Sequence, residues 1–239
     1  MSCKTIKIDK LPTIRRLPTY LQLLRTLFRK GEEFVSSNQL ARALNLESIL
    51  VRKDLELNGY SGTPGVGYFI PELIKAIEDF LGWGDSMDAF LIGVGQLGTA
   101  LLGYRDLGHN GLKIIGAFDN DPTKIHKPIN GIQVFNITKL PELLLRLNVR
   151  LAILTTPSEE AQGVADLLVD SGVKGIWNFT PVDLNVPDGV TTQKEDLVSG
   201  LAVLSVKMAR VSAAERNLKE SHNDNKNKNM HGEFLFPQG

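Results

Sequence analysis

One cysteine, Cys3, is all that the 239 residues contain, which excludes an intrachain disulfide framework and a cysteine-based zinc site. The four histidines (His109, His126, His222, His231) show no metal-ligand spacing, so no metal is expected. No apolar run approaches the ~20 residues that cross a bilayer, and the N-terminus lacks the charged-then-apolar pattern of a secretory leader. The expectation is a soluble, cytoplasmic protein without membrane contact. Net charge is lacking too: 27 basic side chains face 27 acidic ones. That balance hides an asymmetry, because residues 1–60 hold 11 basic and 6 acidic side chains, net +5, against 16 and 21, net −5, in the other 179. A basic N-terminal third on a neutral chain fits a local nucleic-acid surface. Hydrophobic residues at 42% and charged residues at 23% exclude wholesale disorder, and the length allows one large domain or two ordinary ones.

The N-terminal third reads as short helices and a glycine-rich turn. Pro18 suits a first helical turn and Gly31 a helix end, with Tyr20, Leu23, Leu24, Leu27 and Phe28 as an apolar stripe between them. Ser36-Ser37-Asn38-Gln39 is a capping box, in which Ser36 and Gln39 satisfy each other's free backbone donors. A third helix follows over about 48–57, with Val51 and Leu55 inward and Arg52, Lys53 and Glu56 pointing elsewhere. The glycines and proline of 59–70, beside β-forming residues, predict a hairpin, and a last helix is expected over about 71–81. Three helices and a hairpin is the order of a winged helix-turn-helix, whose third helix enters the major groove of double-stranded DNA. Arg52 can pair with guanine there, and Lys53 can meet bases or phosphates. The plainer alternative is a solvated basic pair on a helix surface; the capped second helix, the turn and the +5 segment favour DNA.

The middle third alternates strands and helices. Asp88-Ala89-Phe90-Leu91-Ile92 is an apolar strand ending in Gly93-Val94-Gly95-Gln96-Leu97-Gly98, and Thr99-Ala100-Leu101-Leu102 continues as a helix. This is a dinucleotide fingerprint in its strand–turn–helix setting. Gly93 permits the tight turn, Gly95 lets the backbone approach a pyrophosphate, and Gly98 lets helix and strand pack closely. A second strand from Leu112 ends at Asp119, 21 residues beyond Gly98. A carboxylate there accepts from ribose hydroxyls and repels a 2′-phosphate, so NAD(H) is expected over NADP(H). Asp119-Asn120-Asp121-Pro122 also reads as an ordinary turn, and both readings of Asp119 stay open. Strands at 151–154 and 175–179 follow. Thr155, Thr156 and Pro157, just beyond the first of them, are expected at the nicotinamide side of the crevice or as helix caps.

A dehydrogenase needs a proton donor or acceptor beside the nicotinamide, usually His, Lys or Tyr. No tyrosine here has a lysine four residues later, and neither His109 nor His126 ends a strand facing the crevice. A nucleotide fold without catalytic equipment points to a sensor rather than an enzyme. The rival readings are an NAD-dependent oxidoreductase with a helical accessory domain, and a nucleotide-binding scaffold without a DNA role. Residues 196–218 read as one long helix, and the Asn- and Lys-rich residues beyond as a disordered tail. The expected divisions are 1–82, 83–195, 196–218 and 219–239.

Val51-Arg52-Lys53-Asp54-Leu55, Ser36-Ser37, Gly65-Val66-Gly67-Tyr68 and the glycine fingerprint together resemble the Rex family of redox-sensing transcriptional repressors. Phe118-Asp119 with Asp121-Pro122, Asn178-Phe179-Thr180-Pro181, and Asp196-Leu197 with Gly200-Leu201 extend the resemblance over roughly residues 14–210. It implies an α/β chain with an N-terminal winged helix, a Rossmann-type domain and a C-terminal helix crossing into the partner of a homodimer. It implies operator DNA as partner, NADH and NAD+ as sensed ligands, and release from DNA when NADH binds. By resemblance, Arg52 and Lys53 form the DNA-reading pair, Arg16 is the basic residue before the first helix, and Gly67-Tyr68 is the wing. Tyr104 and Asp196 resemble a pair that meets near the nicotinamide across the dimer. The chain departs from the family at Gln22, where some members carry an arginine able to pair with that aspartate, and at Pro64, where many carry a basic wing residue. Leu57-Asn58-Gly59 also replaces a more aromatic stretch.

Overall fold

The computed structural model describes residues 10–196 and 198–212. The expected tail at 219–239 and the expected helix end at 213–218 lie outside the described residues.

The first unit is built from α1 (Leu11–Arg29), β1 (Phe34–Val35), α2 (Ser37–Leu44), α3 (Ser48–Glu56), β2 (Tyr68–Phe69) and α4 (Ile70–Leu81). The capping box forms as the local sequence requires: Ser36 Oγ accepts from Gln39 N–H, and Gln39 Oε1 accepts from Ser36 N–H. Leu17, Tyr20, Leu21 and Leu24 of α1, Val51 and Leu55 of α3, and Ile70, Leu73 and Ile77 of α4 close one core. Two expectations change. Helix α1 starts at Leu11, with Pro12 in its first turn, so Pro18 lies inside it. Burial of Leu17 and a side-chain tie from Arg16 to α3 hold the turn ahead of Pro18 in helix. The expected hairpin is instead a loop closed by a single bridge between Thr63 and Gly67. Its return strand β2 pairs with β1, Phe34 opposite Phe69 and Val35 opposite Tyr68. The glycines supply the turn, but the strand partner lies more than thirty residues back in the sequence.

The second unit is a seven-stranded sheet in the order β5-β6-β4-β3-β7-β8-β9. Its strands are β3 (Met87–Ile92), β4 (Leu112–Asp119), β5 (Pro128–Ile129), β6 (Ile132–Asn136), β7 (Leu151–Leu154), β8 (Gly175–Asn178) and β9 (Thr191–Lys194). All neighbours run parallel except β5, which is antiparallel to β6. Successive residues of β3 serve opposite faces. Phe90 and Ile92 pack with Leu140, Leu144, Ala161 and Ala165 of α7 (Leu140–Leu147) and α8 (Ser158–Asp170), while Ala89 and Leu91 pack on the side of Leu101 and Leu107, from α5 (Gln96–Leu102) and α6 (Asp106–His109). Burial on both faces is why Ala89 to Ile92 of β3 read as an unbroken apolar run. Strand order reverses between β3 and β7, which leaves a crevice outside their C-terminal ends.

Arg25 of α1 ties the two units together: its guanidinium meets Glu78 of α4 at 2.7 Å and reaches Asn110 Oδ1 and the His109 carbonyl, both at 3.2 Å, at the end of α6. A last helix, α9 (198–212), stands clear of both cores. Val198, Leu201, Leu204 and Met208 are 69%, 60%, 52% and 61% exposed, so this helix does not pack on its own sheet.

Candidate functional site

The crevice at the strand reversal is lined by Gly93, Gly95, Asp119, Asn120, Thr155, Thr156 and Pro157, with Phe118, Lys124, Ile137 and Glu160, and encloses ≈ 450 Å³. The fold itself requires glycine at two of the three fingerprint positions, Gly93 and Gly98. Gly93 sits at φ +94°, and a Cβ there would stand 2.8 Å from the Thr155 carbonyl. A Cβ on Gly98 would stand 2.1 Å from the Gly93 oxygen, so no side chain fits between helix and turn. Gly95 has nothing within 4 Å and an ordinary φ of −75°, so the protein itself leaves that space open toward the crevice. Beyond the turn α5 begins with Gln96 and Leu97, and Val94 is buried beneath. Free amides at a helix start facing an open cleft suit a phosphate.

Asp119 stands at the end of β4, and its carboxylate is already engaged. Oδ2 accepts from Val94 N–H at 2.7 Å and from Lys124 Nζ at 3.2 Å, and Oδ1 accepts from Asp121 N–H at 2.8 Å. The residue is therefore both a turn former and a clasp on the glycine loop, and it lines the cleft. Thr155 is occupied similarly: its hydroxyl donates to the Gly93 carbonyl at 2.6 Å. Thr156 differs, because its Oγ1 is buried and has no hydrogen-bond partner. A buried orphan hydroxyl lining an open cleft is a place for a ligand's polar atom. Pro157 is the residue before α8 and the helix start has no side-chain cap, so the threonines are not spent as helix caps. Lys124, absent from the sequence reading, joins the cleft five residues after Asp119 because the Asx turn at Asp121 folds it back.

Tyr104 is 55% exposed and lies outside this lining. Asp196 caps α9, its Oδ1 accepting from Val198 N–H at 2.9 Å. Within one chain the two are not brought to the crevice. Asn178 of the 178–181 motif builds the turn after β8, accepting from Thr180 N–H and donating to the Val182 carbonyl.

On the first unit, α3 exposes Arg52, Lys53 and Glu56 and buries Val51, Asp54 and Leu55, as the helical period requires. Ser36 is engaged in its cap, and Ser37 follows it half-buried at the start of α2. One expected position is corrected. Arg16 is not ahead of the first helix but within it, and its guanidinium grips Asp54 through Nε at 2.6 Å and Nη2 at 2.7 Å. Gly67 is required by the fold, since a Cβ there would stand 2.5 Å from the Val35 carbonyl. Tyr68 is half-buried against Tyr60, where burial first, and then the Glu56 carboxylate, raise its phenol above the ordinary value. Asp54 is the residue the sequence reading passed over, although a carboxylate on the inward stripe of Val51 and Leu55 demands a buried cation or donors. Among the described residues no helix is long and apolar enough to cross a membrane, and no group of three His, Cys, Asp or Glu could hold a metal.

Residues 11–56 match a family model described as "Putative DNA-binding protein N-terminus", and residues 85–182 one described as "CoA binding domain". The chain is 46% identical over 202 residues to the redox-sensing transcriptional repressor Rex of Treponema denticola, covering 84% of this chain and 96% of that one. It is 42% identical over 193 residues to the protein of the same name from Bacteroides thetaiotaomicron, covering 81% and 88%. Among solved structures it is similar to RSP, a Rex-family repressor, in complex with beta-NAD+ and operator DNA (TM-score 0.79, 31% identity, 91% of this chain and 99% of that one). The RSP complex with beta-NADH gives 0.78 and 30%, over 88% and 99%.

Proposed function

The chain belongs to the Rex family of redox-sensing transcriptional repressors, and from that membership we propose that it holds an operator when NADH is scarce and leaves it when NADH binds. The observation that carries the reading is a pairing on one chain: a glycine turn open at Gly95 onto a cleft with an orphan Thr156 hydroxyl, and a capped helical unit presenting Arg52 and Lys53 to solvent. The relatives are named as repressors, and the oxidoreductase reading is set aside.

In this reading Arg52 and Lys53 reach base edges and phosphates, with Ser37 and the wing beside them. Gly93, Gly95 and Gly98 seat the pyrophosphate, and Asp119 and Asn120 face the adenosine ribose. Thr155 holds the turn, and Thr156 and Pro157 border the nicotinamide side. NADH and NAD+ share everything but the nicotinamide, where only NAD+ carries a positive ring charge. Discrimination must therefore arise from groups near that ring, because a ligand shifts an equilibrium only by its differential affinity for the two states. Tyr104 and Asp196 are assigned that role across a homodimer. The division falls near 82/83 and 195/196, and α9 supplies the crossing element. The setting is the bacterial cytoplasm, where NADH and DNA occur together. The test is to select duplexes from a random pool with the immobilised protein at fixed salt and challenge the retained set with NADH. One consensus eluted by NADH supports the reading; retention of no consensus, or retention indifferent to NADH, overturns it.

A further inference from the structure

Apolar packing against α1 and α2 fixes the rotation of helix α3 only weakly. The helix is nine residues long, its N-terminus has no side-chain cap, and its apolar anchors, Val51 and Leu55, lie on one stripe. Two apolar contacts set how closely a helix lies but only weakly how far it turns about its axis, since apolar attraction is non-directional. Rotation is what matters for reading DNA. With side chains reaching about 5–6 Å from the axis, a turn of about 20° carries a tip about 2 Å, enough to break a bidentate base contact.

Asp54 supplies the missing direction. It is 1% exposed and accepts four hydrogen bonds from one neighbouring helix: Thr13 Oγ1 at 2.9 Å, Arg16 Nε at 2.6 Å, Arg16 Nη2 at 2.7 Å and Tyr20 Oη at 2.8 Å. The arginine contact is a fork, Nε to Oδ2 and Nη2 to Oδ1, whose planarity fixes orientation as well as distance. Burial alone would raise the Asp54 carboxyl, yet the Arg16, Tyr20 and Thr13 donors hold it below its ordinary value, so it stays ionised. The donors come from three successive turns of α1, so they clamp α3 against a long, well-buried helix.

We propose that Asp54 and Arg16 are positioning residues for operator recognition, locking the rotation of α3 so that Arg52 and Lys53 meet base edges, and that Arg16 serves this lock rather than a phosphate. The inference rests on the DNA-binding reading above and deepens it. Arg52 and Lys53 immediately precede Asp54, so the lock acts at their end of the helix.

The decisive measurement is operator and non-specific duplex affinity for wild type, Asp54→Asn and Arg16→Lys across a salt series, with melting temperature and NADH affinity recorded for each. Asp54→Asn keeps the shape and removes the charge; Arg16→Lys keeps the charge and removes the fork, and covers the case in which Asp54→Asn fails to fold. Each variant is expected to lower the ratio of operator to non-specific affinity about tenfold, the scale of one lost base contact. Non-specific affinity, its salt slope and NADH affinity stay at wild-type values. A purely structural role would lower the melting temperature and leave the ratio of the folded protein unmoved, which contradicts the proposal. So does an Arg16→Ala variant whose salt slope falls by about one with both duplexes weakened alike, the mark of a lost phosphate contact. A wild type without operator preference would overturn the functional reading itself; an operator-binding wild type with an unmoved ratio in the folded variants overturns only the Asp54 assignment.

Discussion

Gly95 and Gly98 stand three residues apart and separate two kinds of requirement. A Cβ at Gly98 collides with the Gly93 carbonyl at 2.1 Å, whatever is bound. At Gly95 a Cβ meets no protein atom, so only a ligand's approach would exclude it. Gly98→Ala is therefore expected to lower the melting temperature of the sheet domain by several degrees, whereas Gly95→Ala melts as wild type and binds NADH at least tenfold more weakly. Calorimetry and thermal denaturation check the pair, and wild-type NADH affinity in Gly95→Ala would remove the pyrophosphate from that turn. The tight turn at Gly93 and the close packing at Gly98 were legible in the sequence, because turn, helix start and strand lie within ten residues. The second occupation of Asp119 was legible only in part. Its turn to Asp121 is local, but its bond to Val94 spans 25 residues, and nothing in the spacing announces it.

Among the elements, α3 shows most clearly what a local pattern conveys. Its period put Val51 and Leu55 inside and Arg52 and Lys53 outside, and the structure agrees. Asp54 is buried on the same stripe, which the sequence reading did not note, and its partners on α1 lie 34 to 41 residues away, so only the packing of the two helices identifies them. The start of α1 and the pairing of β2 escaped for the same reason: each is decided by a contact distant in sequence, which overrides the nearby proline or glycine signal. Arg52→Ala and Lys53→Ala are each expected to weaken operator binding tenfold or more at constant salt, about 1–3 kcal/mol for a good base contact, with NADH affinity unchanged. Fluorescence anisotropy on a selected duplex reads this, and unchanged affinity in both variants would detach α3 from DNA.

At the scale of the molecule, α9 is the feature one chain does not explain. Its apolar residues from Val198 to Val211 are more than half exposed, an area a soluble monomer does not leave uncovered along a helix. The order of the units was readable from the strand–helix alternation, while the covering of α9 came only from the family resemblance, because an apolar helix reads alike whether its own sheet or another chain's covers it. In the homodimer reading, Leu201→Glu with Leu204→Glu converts the protein to a monomer in sedimentation equilibrium and abolishes high-affinity operator binding, which needs two half-sites. A double variant that remains dimeric would place the interface elsewhere. Asp196 caps α9, and in the homodimer reading it is the residue expected to carry a change at the nicotinamide to that interface. Asp196→Ala should keep dinucleotide binding and lose most of the NADH-driven release.

The central claim is that this chain reads the NADH to NAD+ ratio and reports it as operator occupancy. It is tested most directly by titrating a labelled operator complex with mixtures of NADH and NAD+ at constant total dinucleotide and constant salt. Release should follow the ratio, with a midpoint that stays fixed when the total is raised well above both dissociation constants. Release by NAD+ as effectively as by NADH, or none by either at saturation, would contradict the account.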